Sequence, residues 1–255
     1  MEQYRIARHG VFTIVLILFL GCRGERPMTS AQEMVDKAIA YSGGEDRYRN
    51  THITFDFRDI SYAQLWDQGK RVMKRRFLRD SLPIEDILSG QGLERLVNGA
   101  RVSLPDTLAK KYSNSVNSVH YFAYLPFGLN DPAVRKEFVG LVNVGGKPYY
   151  KVKVTFAQKN GGDDFEDTYL YWFDTADFST DYLAYEYHVD GGGIRFREAY
   201  NERRVGGIRF VDYRNYKPKE PHTDLGMMDS LYEKGQLTHL STIELRNISV
   251  QDNYN

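Results

Sequence analysis

The amino-acid sequence predicts a mainly β fold of the α+β class, in which one large antiparallel sheet of about ten strands is covered by a few helices. Short runs rich in β-branched and aromatic residues alternate with turn segments along most of the chain. From residue 137 to residue 216 the segments between these runs are too short for the crossovers that parallel strands need. Only three or four segments show a helical pattern, so strands dominate the prediction.

Composition and charge narrow the possible classes of protein. The chain has 255 residues, of which 42% are hydrophobic and 14% aromatic, and this is enough to bury the core of one domain. The 34 basic and 34 acidic residues cancel, whereas nucleic-acid-binding proteins usually carry a basic excess. A single cysteine excludes an internal disulfide. We therefore expect one globular domain and no nucleic-acid partner.

The first residues have the pattern of a secretory signal peptide. Arg5 and Arg8 precede an apolar run over 11–20, which is too short to span a bilayer and has the length of a signal-peptide core. The run ends in Gly21-Cys22, and a small residue followed by cysteine at this place resembles the lipobox of bacterial lipoproteins. A membrane-spanning or buried helix with a free thiol is the alternative.

The lipobox resemblance implies a lipid anchor and a cleavage site. In such proteins the cysteine carries acyl chains such as palmitate and the peptide is cut just before it. This implies a signal peptide over 1–21, acylation of Cys22, a tether over 22–29 and a single domain over 30–255. Arg23 stands where an aspartate retains many lipoproteins at the inner membrane, so the outer membrane of the cell envelope is favoured. Its periplasmic and surface faces both remain open.

The domain begins with a helix predicted over 31–42. Ser30 and Glu33 have the spacing of a capping box, and Gly43-Gly44 supplies residues that favour a left-handed helix end. The apolar residues between them repeat at helical spacing and form one face: Ala31, Met34, Val35, Ala38 and Ile39.

The remaining elements follow from turn residues and periodicity. The predicted strands are, in order, 52–58, 60–67, 69–79, 94–103, 137–144, 148–158, 167–174, 180–189, 193–203, 207–216 and 241–250. The predicted helices after the first are 107–124, capped by Asp106, 131–137, opened by Asp131-Pro132, and 224–233.

Alternation along the meander predicts a sheet with a strongly apolar face. With two residues of an aromatic segment after the second helix, this face is expected to line a hydrophobic, ligand-binding cavity beneath the few helices. The predicted cavity residues are Tyr150, Val152, Val154, Phe156, Tyr169, Tyr171, Phe173, Leu125 and Phe127. In the last two strands of the meander, apolar residues alternate with three arginines: Arg195, Arg197 and Arg209. A face of this kind can equally be the filled core of the domain, and that alternative stays open.

Two stretches resemble envelope proteins of the LolA/LppX-like fold. A helix that ends in Gly-Gly, here residues 31–44, follows an acylated cysteine and a short tether in these proteins. The segment Tyr121 to Leu129, with the long meander after it, resembles a group of bacterial outer-membrane lipoproteins of the same fold. The resemblance implies a curved, incomplete antiparallel barrel, or half-barrel, with helices as its plug or lid. It also implies a lipid or acyl chain in the concave face.

We therefore predict a lipid-anchored envelope protein that binds a lipid, an acyl chain or a lipoprotein in its concavity. We expect a monomer that contacts the membrane through its N-terminal acyl chains and has no cofactor, metal or catalytic residue. Because a tethered protein cannot travel, it would act as an acceptor, a tethered binder or a scaffold.

Two other functions stay open at this stage. His188 with Asp190 or Glu186 resembles a general acid–base pair, which would suit a lipid- or glycan-directed hydrolase. A structural or partner-binding lipoprotein, whose apolar face is ordinary core, is the other. An acidic cluster that lacks the spacing of a regular calcium loop could chelate that ion: Asp163, Asp164, Glu166 and Asp167.

Overall fold

A computed structural model describes Met1 and residues 30–158, 166–188 and 191–253 of the chain. The predicted anchor Cys22, the tether and, apart from Met1, the signal peptide lie outside the described residues. Within the described ranges, no helix is both long enough and apolar enough to cross a membrane.

Strands dominate the described part of the chain, as predicted, and the mainly β class is confirmed. The strands are β1 Thr51–Phe57, β2 Ile60–Asp67, β3 Lys70–Arg79, β4 Leu82–Ser89, β5 Gly92–Val97, β6 Ala100–Val102, β7 Val134–Val144, β8 Lys147–Phe156, β9 Thr168–Asp174, β10 Thr180–Tyr187, β11 Gly193–Val205, β12 Ile208–Pro218, β13 Leu237–Ile243 and β14 Arg246–Asp252. The helices are α1 Ala31–Tyr41, α2 Glu45–Arg49, α3 Asp106–Ala123 and α4 Met228–Glu233, the last preceded by a 3₁₀ turn over Leu225–Met227.

The described strands form two antiparallel sheets of seven strands each. The first sheet has the order β14-β1-β2-β3-β4-β5-β6, and the second has the order β13-β12-β11-β10-β9-β8-β7. Only Glu244 and Leu245 separate β13 from β14, so the chain passes directly from one sheet to the other. Each sheet keeps two edge strands, and neither closes into a barrel.

The sheet is divided in two and has more strands than the predicted ten. The predicted strand 94–103 is a hairpin, because Asn98 and Gly99 have φ angles of 49° and 78° and form a two-residue turn. The predicted strand 241–250 breaks at 244–245, after which β14 pairs with β1. β4 has no counterpart in the prediction, since Glu85 and Asp86 interrupt its apolar pattern.

The first helix is confirmed together with its cap. The Ser30 hydroxyl accepts a hydrogen bond from the Glu33 N–H at 3.3 Å, and the predicted apolar face is buried. Gly43 follows with a φ of 127°, and a Cβ at this position would lie 2.9 Å from the Gly207 carbonyl oxygen. Glycine therefore allows the turn between β11 and β12 to approach the end of α1.

The other helices agree with the prediction only in part. The second and fourth predicted helices are confirmed as α3 and as the 3₁₀ turn with α4, whereas α2 was not expected. The predicted helix over 131–137 is wrong, because β7 begins at Val134 and pairs with β8 from Phe156 onwards. A ladder of ten paired residues outweighs the single helical turn that Asp131-Pro132 favours locally.

Apolar clusters cover both faces of the second sheet. On one face α1 and residues 121–129 pack against β8, β9, β10 and β12. On the other face the 3₁₀ turn and α4 pack against the same sheet. β9 shows both contacts, because Tyr171 and Phe173 belong to the first cluster while Leu170 and Trp172 belong to the second. A third cluster joins α2, β1 and β2 to β12 and the end of α3.

Candidate functional site

A cavity of about 240 Å³ lies under the second half of α3, between β11–β13 of the second sheet and the end of β1 in the first. Most of its lining side chains are apolar, and it opens to solvent at one side. The lining residues are Phe57, Arg58, Ser118, Val119, Phe122, Ala123, Arg197, Val211, Tyr213, Asn215, Ser241, Ile243 and Leu245.

The two halves of α3 are held in different ways. Val116 and His120 in the second half are fully buried, whereas no residue of the first half is buried. The helix up to Ser115 is instead fixed by polar contacts with the first sheet. Arg75 donates a hydrogen bond to the Ser115 hydroxyl at 2.7 Å, and the Arg95 guanidinium lies 3.7 Å from the centre of the Tyr112 ring.

A buried row of charges on the first sheet supports those polar contacts. Asp86 on β4 is directly opposite Arg75 on β3 and Arg95 on β5, and all three are at most 6% exposed. The carboxylate accepts one hydrogen bond from Arg75 at 2.7 Å and two from Arg95 at 2.6 and 2.8 Å. Burial opposes ionisation of Asp86, but these hydrogen bonds and charges outweigh it and hold its pKa below the ordinary value.

His120 marks the inner end of the helix contact. Its Nε2 donates to the Lys74 carbonyl oxygen at 3.2 Å, and its ring lies between the rings of Phe55, Tyr62 and Tyr124. Burial, and then the charge of Arg71, lower the pKa of His120 to about 3. The imidazole is therefore neutral at neutral pH and belongs to the packing of the third apolar cluster.

The polar part of the cavity wall is a cross-strand row. Arg197 on β11 pairs with Asn215 on β12, which lies at a register shift between β12 and β13 and donates through its amide to the Ser241 hydroxyl of β13 at 3.3 Å. Arg197 is 8% exposed, stacks over the Phe122 ring at 3.7 Å and donates to the Tyr185 hydroxyl at 2.9 Å. This row stands among side chains that are otherwise apolar.

The nine cavity residues predicted from the sequence lie beside this cavity, not on its wall. Tyr150 and Phe156 are partly buried and pack on the cluster beneath α1, and Phe127 stacks on Tyr48 with ring centres 4.6 Å apart. The other six are buried within that cluster: Leu125, Val152, Val154, Tyr169, Tyr171 and Phe173. Their contact with a ligand stays a prediction.

The cavity wall was missed because the prediction placed no cavity residue on the last two strands of the meander. Ile194 and Phe196 in fact pack under α4 on the outer side, so the opposite face of β11, which carries Arg197, borders the cavity. Both faces of this sheet are covered, and alternation alone does not distinguish inside from outside. Val119 and Phe122 on the wall recur at helical spacing within the predicted helix 107–124, and this spacing is a sequence signal for the α3 side of the wall.

His188 of the hydrolase alternative lies near a carboxylate other than Asp190 and Glu186, the two named from the sequence. His188 Nδ1 lies 3.4 Å from an oxygen of Asp167, and the His188 side chain is about half exposed. Neither residue lines the cavity under α3. Asp163, Asp164 and Asp190 lie outside the described residues. Among the residues that are described, no group of three or more histidine, cysteine or acidic side chains is arranged to hold a metal ion.

Two antiparallel sheets and a helix-covered apolar cavity define the architecture of this protein. The chain belongs to a family of unknown function, DUF6503, whose model matches residues 70–245. None of the curated proteins matches the sequence.

Several solved structures are similar to the chain. A LolA superfamily protein from Nitrosomonas europaea has a TM-score of 0.49 and 14% identity, with 89% of this chain and 96% of that chain covered. A DUF1329 family protein from Desulfovibrio piger has a TM-score of 0.46 and 13% identity over 89% and 96% of the two chains. An outer membrane lipoprotein-sorting protein domain from Vibrio parahaemolyticus has a TM-score of 0.45 and 9% identity over 89% and 95%.

Proposed function

We propose that the protein is a lipid-anchored protein of the bacterial cell envelope that binds an apolar ligand, a lipid or an acyl chain, in the cavity under α3. The observation that carries this proposal is a largely apolar cavity of about 240 Å³ beneath the second half of α3, a helix whose first half has no fully buried residue. An apolar cavity of about 150 Å³ is enough to bind benzene or xenon, and ligand pockets begin at about 300 Å³. The cavity therefore suits part of an acyl chain as it stands.

A longer chain would extend towards the residues predicted from the sequence. Phe122 on the cavity wall contacts Tyr185 with ring centres 5.2 Å apart, and Tyr185 stacks on Tyr169 at 5.4 Å. Tyr169 in turn stacks on Tyr171 at 6.2 Å. We infer that a bound chain would enter between these rings and the segment 121–129, and would thereby reach the face that contains Val152 and Val154.

Such entry requires α3 to move, and its contacts favour this. Lifting the first half of α3 would transfer hydrogen-bonding and charged groups to water, which replaces their partners at a net cost of only about 1 kcal/mol for each hydrogen bond. Lifting a helix with an apolar face would instead cost about 25 cal/mol for every Å² of apolar surface that it exposes to water. We infer that the Asp106 end of α3 lifts more easily than the half that covers the cavity, where Val116 and His120 are buried.

The anchor and the location are part of the same proposal and are supported by the sequence. Cys22 would carry the acyl chains, and Arg23 after it favours the outer membrane. More than one chain on the anchor gives stable membrane attachment, which a single chain does not. The protein would then hold its ligand at the membrane surface as an acceptor or tethered binder.

Native mass spectrometry of the full chain after mild extraction tests the ligand. The wild type should carry a co-purifying lipid, and Ser118→Trp, which places a large ring at the mouth of the cavity, should reduce lipid occupancy several-fold. Asn117→Trp is the matched control, because Asn117 is an exposed residue of the same helix that does not line the cavity. Lipid-free wild type that also fails to take up added fatty acid would refute the ligand proposal.

The anchor has its own test. Cys22→Ser should move the protein from the membrane fraction to the soluble fraction, and mass analysis of the wild type should find acyl chains on the peptide that starts at Cys22. An unmodified Cys22 in a protein that still fractionates with membranes would argue for a different form of attachment.

A further inference from the structure

The charged side chains that line the cavity are both positive. Two arginines, exposed Arg58 and buried Arg197, are among the lining residues, and the described part of the chain contributes no aspartate or glutamate to the lining. A purely apolar ligand would form no ion pair with these arginines. The lining can therefore bind a charged group as well as a hydrocarbon chain.

Arg197 differs from the other buried arginines among the described residues. Arg75 and Arg95 share Asp86, and Arg209 contacts Glu202 at 2.8 Å and Asp181 at 3.3 Å. Arg197 is as buried as these residues but makes no ion pair with a described carboxylate. It has one hydrogen bond, to the neutral Tyr185 hydroxyl, and its Nε–H has no acceptor.

A buried cation without an anion is energetically unfavourable. Removing a charge from water costs several kcal/mol unless an opposite charge or enough hydrogen bonds replace the water. Stacking on Phe122 at 3.7 Å offsets only part of this cost. An anion that reached Arg197 would therefore gain more than a neutral group could, because charge-assisted hydrogen bonds are roughly twice as strong as neutral ones.

Asn215 and Ser241 extend the polar row next to Arg197. The Asn215 Oδ1 is buried and has no partner, while its Nδ2 donates to Ser241. A half-turn of the amide would let its oxygen accept from the Ser241 hydroxyl and would free its N–H groups to donate towards the cavity. Arg197 and Asn215 could then hold two oxygens of one anionic group.

From this we propose that the ligand is an anionic amphiphile, whose carboxylate or phosphate head binds Arg197 and Asn215 while its hydrocarbon chain lies along Phe122, Val211 and Ile243. The inference rests on the proposed function and narrows its ligand class. The head of the ligand would lie inward at β11–β12, where it contacts the charge of Arg197. Its hydrocarbon chain would lie under α3 and contact the apolar part of the lining.

The test compares ligands that differ only at the head. Dodecanoate, dodecyl phosphate, methyl dodecanoate and dodecanol are titrated into the full-length protein in an uncharged detergent, and bound species are counted by native mass spectrometry. We expect both anionic probes to bind about tenfold more tightly than both neutral probes, which corresponds to one or two charge-assisted hydrogen bonds. Acetate and inorganic phosphate, which lack the chain, should not displace dodecanoate at equal concentration.

Variants of Arg197 separate this inference from the proposed function. Arg197→Gln should remove the tenfold preference for anionic over neutral probes, whereas Arg197→Lys should keep part of that preference. Arg195→Gln is the matched control, because Arg195 is on the same strand but does not line the cavity. Equal binding of all four probes by the wild type would overturn the anionic head and leave the apolar ligand standing. If no probe binds, both proposals fail, and if phosphate alone displaces dodecanoate, the site is one for free anions.

Discussion

The two sheets of this protein are covered by opposite kinds of contact. The second sheet, β7–β13, is packed on both faces by aromatic and aliphatic side chains from α1, the segment 121–129 and α4. The outer strands of the first sheet meet α3 through Arg75, Asp86 and Arg95 and through two polar residues of the helix. Apolar packing resists separation, because every exposed Å² is unfavourable. Polar contacts can exchange their partners for water and form again. The second sheet is therefore a rigid support, and the first half of α3 is a movable cover.

The largest expected effect is in the doubly covered sheet. Trp172 is fully buried, packs on Phe196 at 5.6 Å and donates to Asp229 at 3.2 Å. Trp172→Ala should lower the free energy of unfolding by about 3–5 kcal/mol, since it leaves a large cavity. Leu108→Ala on the exposed half of α3 should change it by less than about 0.5 kcal/mol. Urea denaturation measures both, and similar values for the two variants would break the contrast between the sheets.

The charged row of the first sheet should come next. Asp86→Ala leaves Arg75 and Arg95 buried without their anion, and the free energy of unfolding should fall by about 3 kcal/mol. The detached first half of α3 should also exchange its amide hydrogens faster than in the wild type, while β9 keeps its protection. Hydrogen exchange followed by mass spectrometry distinguishes these regions. Uniform loss of protection would mean that the row holds the whole domain together.

Acid should destabilise the junction of the two sheets through His120. The unfolded chain binds a proton at this residue below about pH 6.5, but the folded chain does so only near its lowered pKa of about 3. Stability from the neutral imidazole is therefore complete above pH 6.5 and is lost as the pH falls towards 3. Between pH 6.5 and 4.5 the loss should be about 2 kcal/mol.

Urea denaturation across that pH range gives the measurement, and the slope against pH is the quantity of interest. His120→Gln should flatten the slope whatever its effect on absolute stability. His222→Gln, at an exposed position, should keep the slope of the wild type. An unchanged slope in His120→Gln would show that His120 does not control the acid sensitivity.

The smallest effect is expected for an exposed ion pair of the first sheet. Arg101 and Glu94 are 2.7 Å apart, but their side chains are 74% and 33% exposed. Glu94→Gln should lower the free energy of unfolding by less than about 1 kcal/mol, and salt should reduce the difference further. Comparison with Asp86→Ala in the same denaturation series isolates the contribution of burial. A loss as large as that of Asp86→Ala would remove burial as the reason for the difference between the two pairs.

Much of the fold was accessible from local patterns. The capping box at Ser30 and Glu33 identified α1, and the short turns of the meander identified the antiparallel pairing. The sequence of β9 is apolar on both faces, and its neighbours Tyr171 and Trp172 lie in different clusters. These features depend on contacts within a few residues, which the sequence states directly.

The candidate site was less accessible, because its residues come together only across strands and sheets. Glu85 and Asp86 concealed β4, since no local signal says that Asp86 will be neutralised by arginines nine and eleven residues away. Alternation placed Arg197 opposite an apolar face, and that face is the one that packs against α4. The side of a doubly covered strand that borders a cavity depends on which helices pack where.

The fold class, the antiparallel direction of the strands and the first helix thus follow from periodicity, caps and turns, which act over short stretches of chain. The division into two sheets, the position of the cavity and the isolation of Arg197 depend on long-range packing. Alternation is the same for both faces of a strand, and only the neighbours that the fold brings up make one face a filled core and the other the wall of a cavity. For this chain, the polar row on that wall is where the physical case for a ligand is strongest.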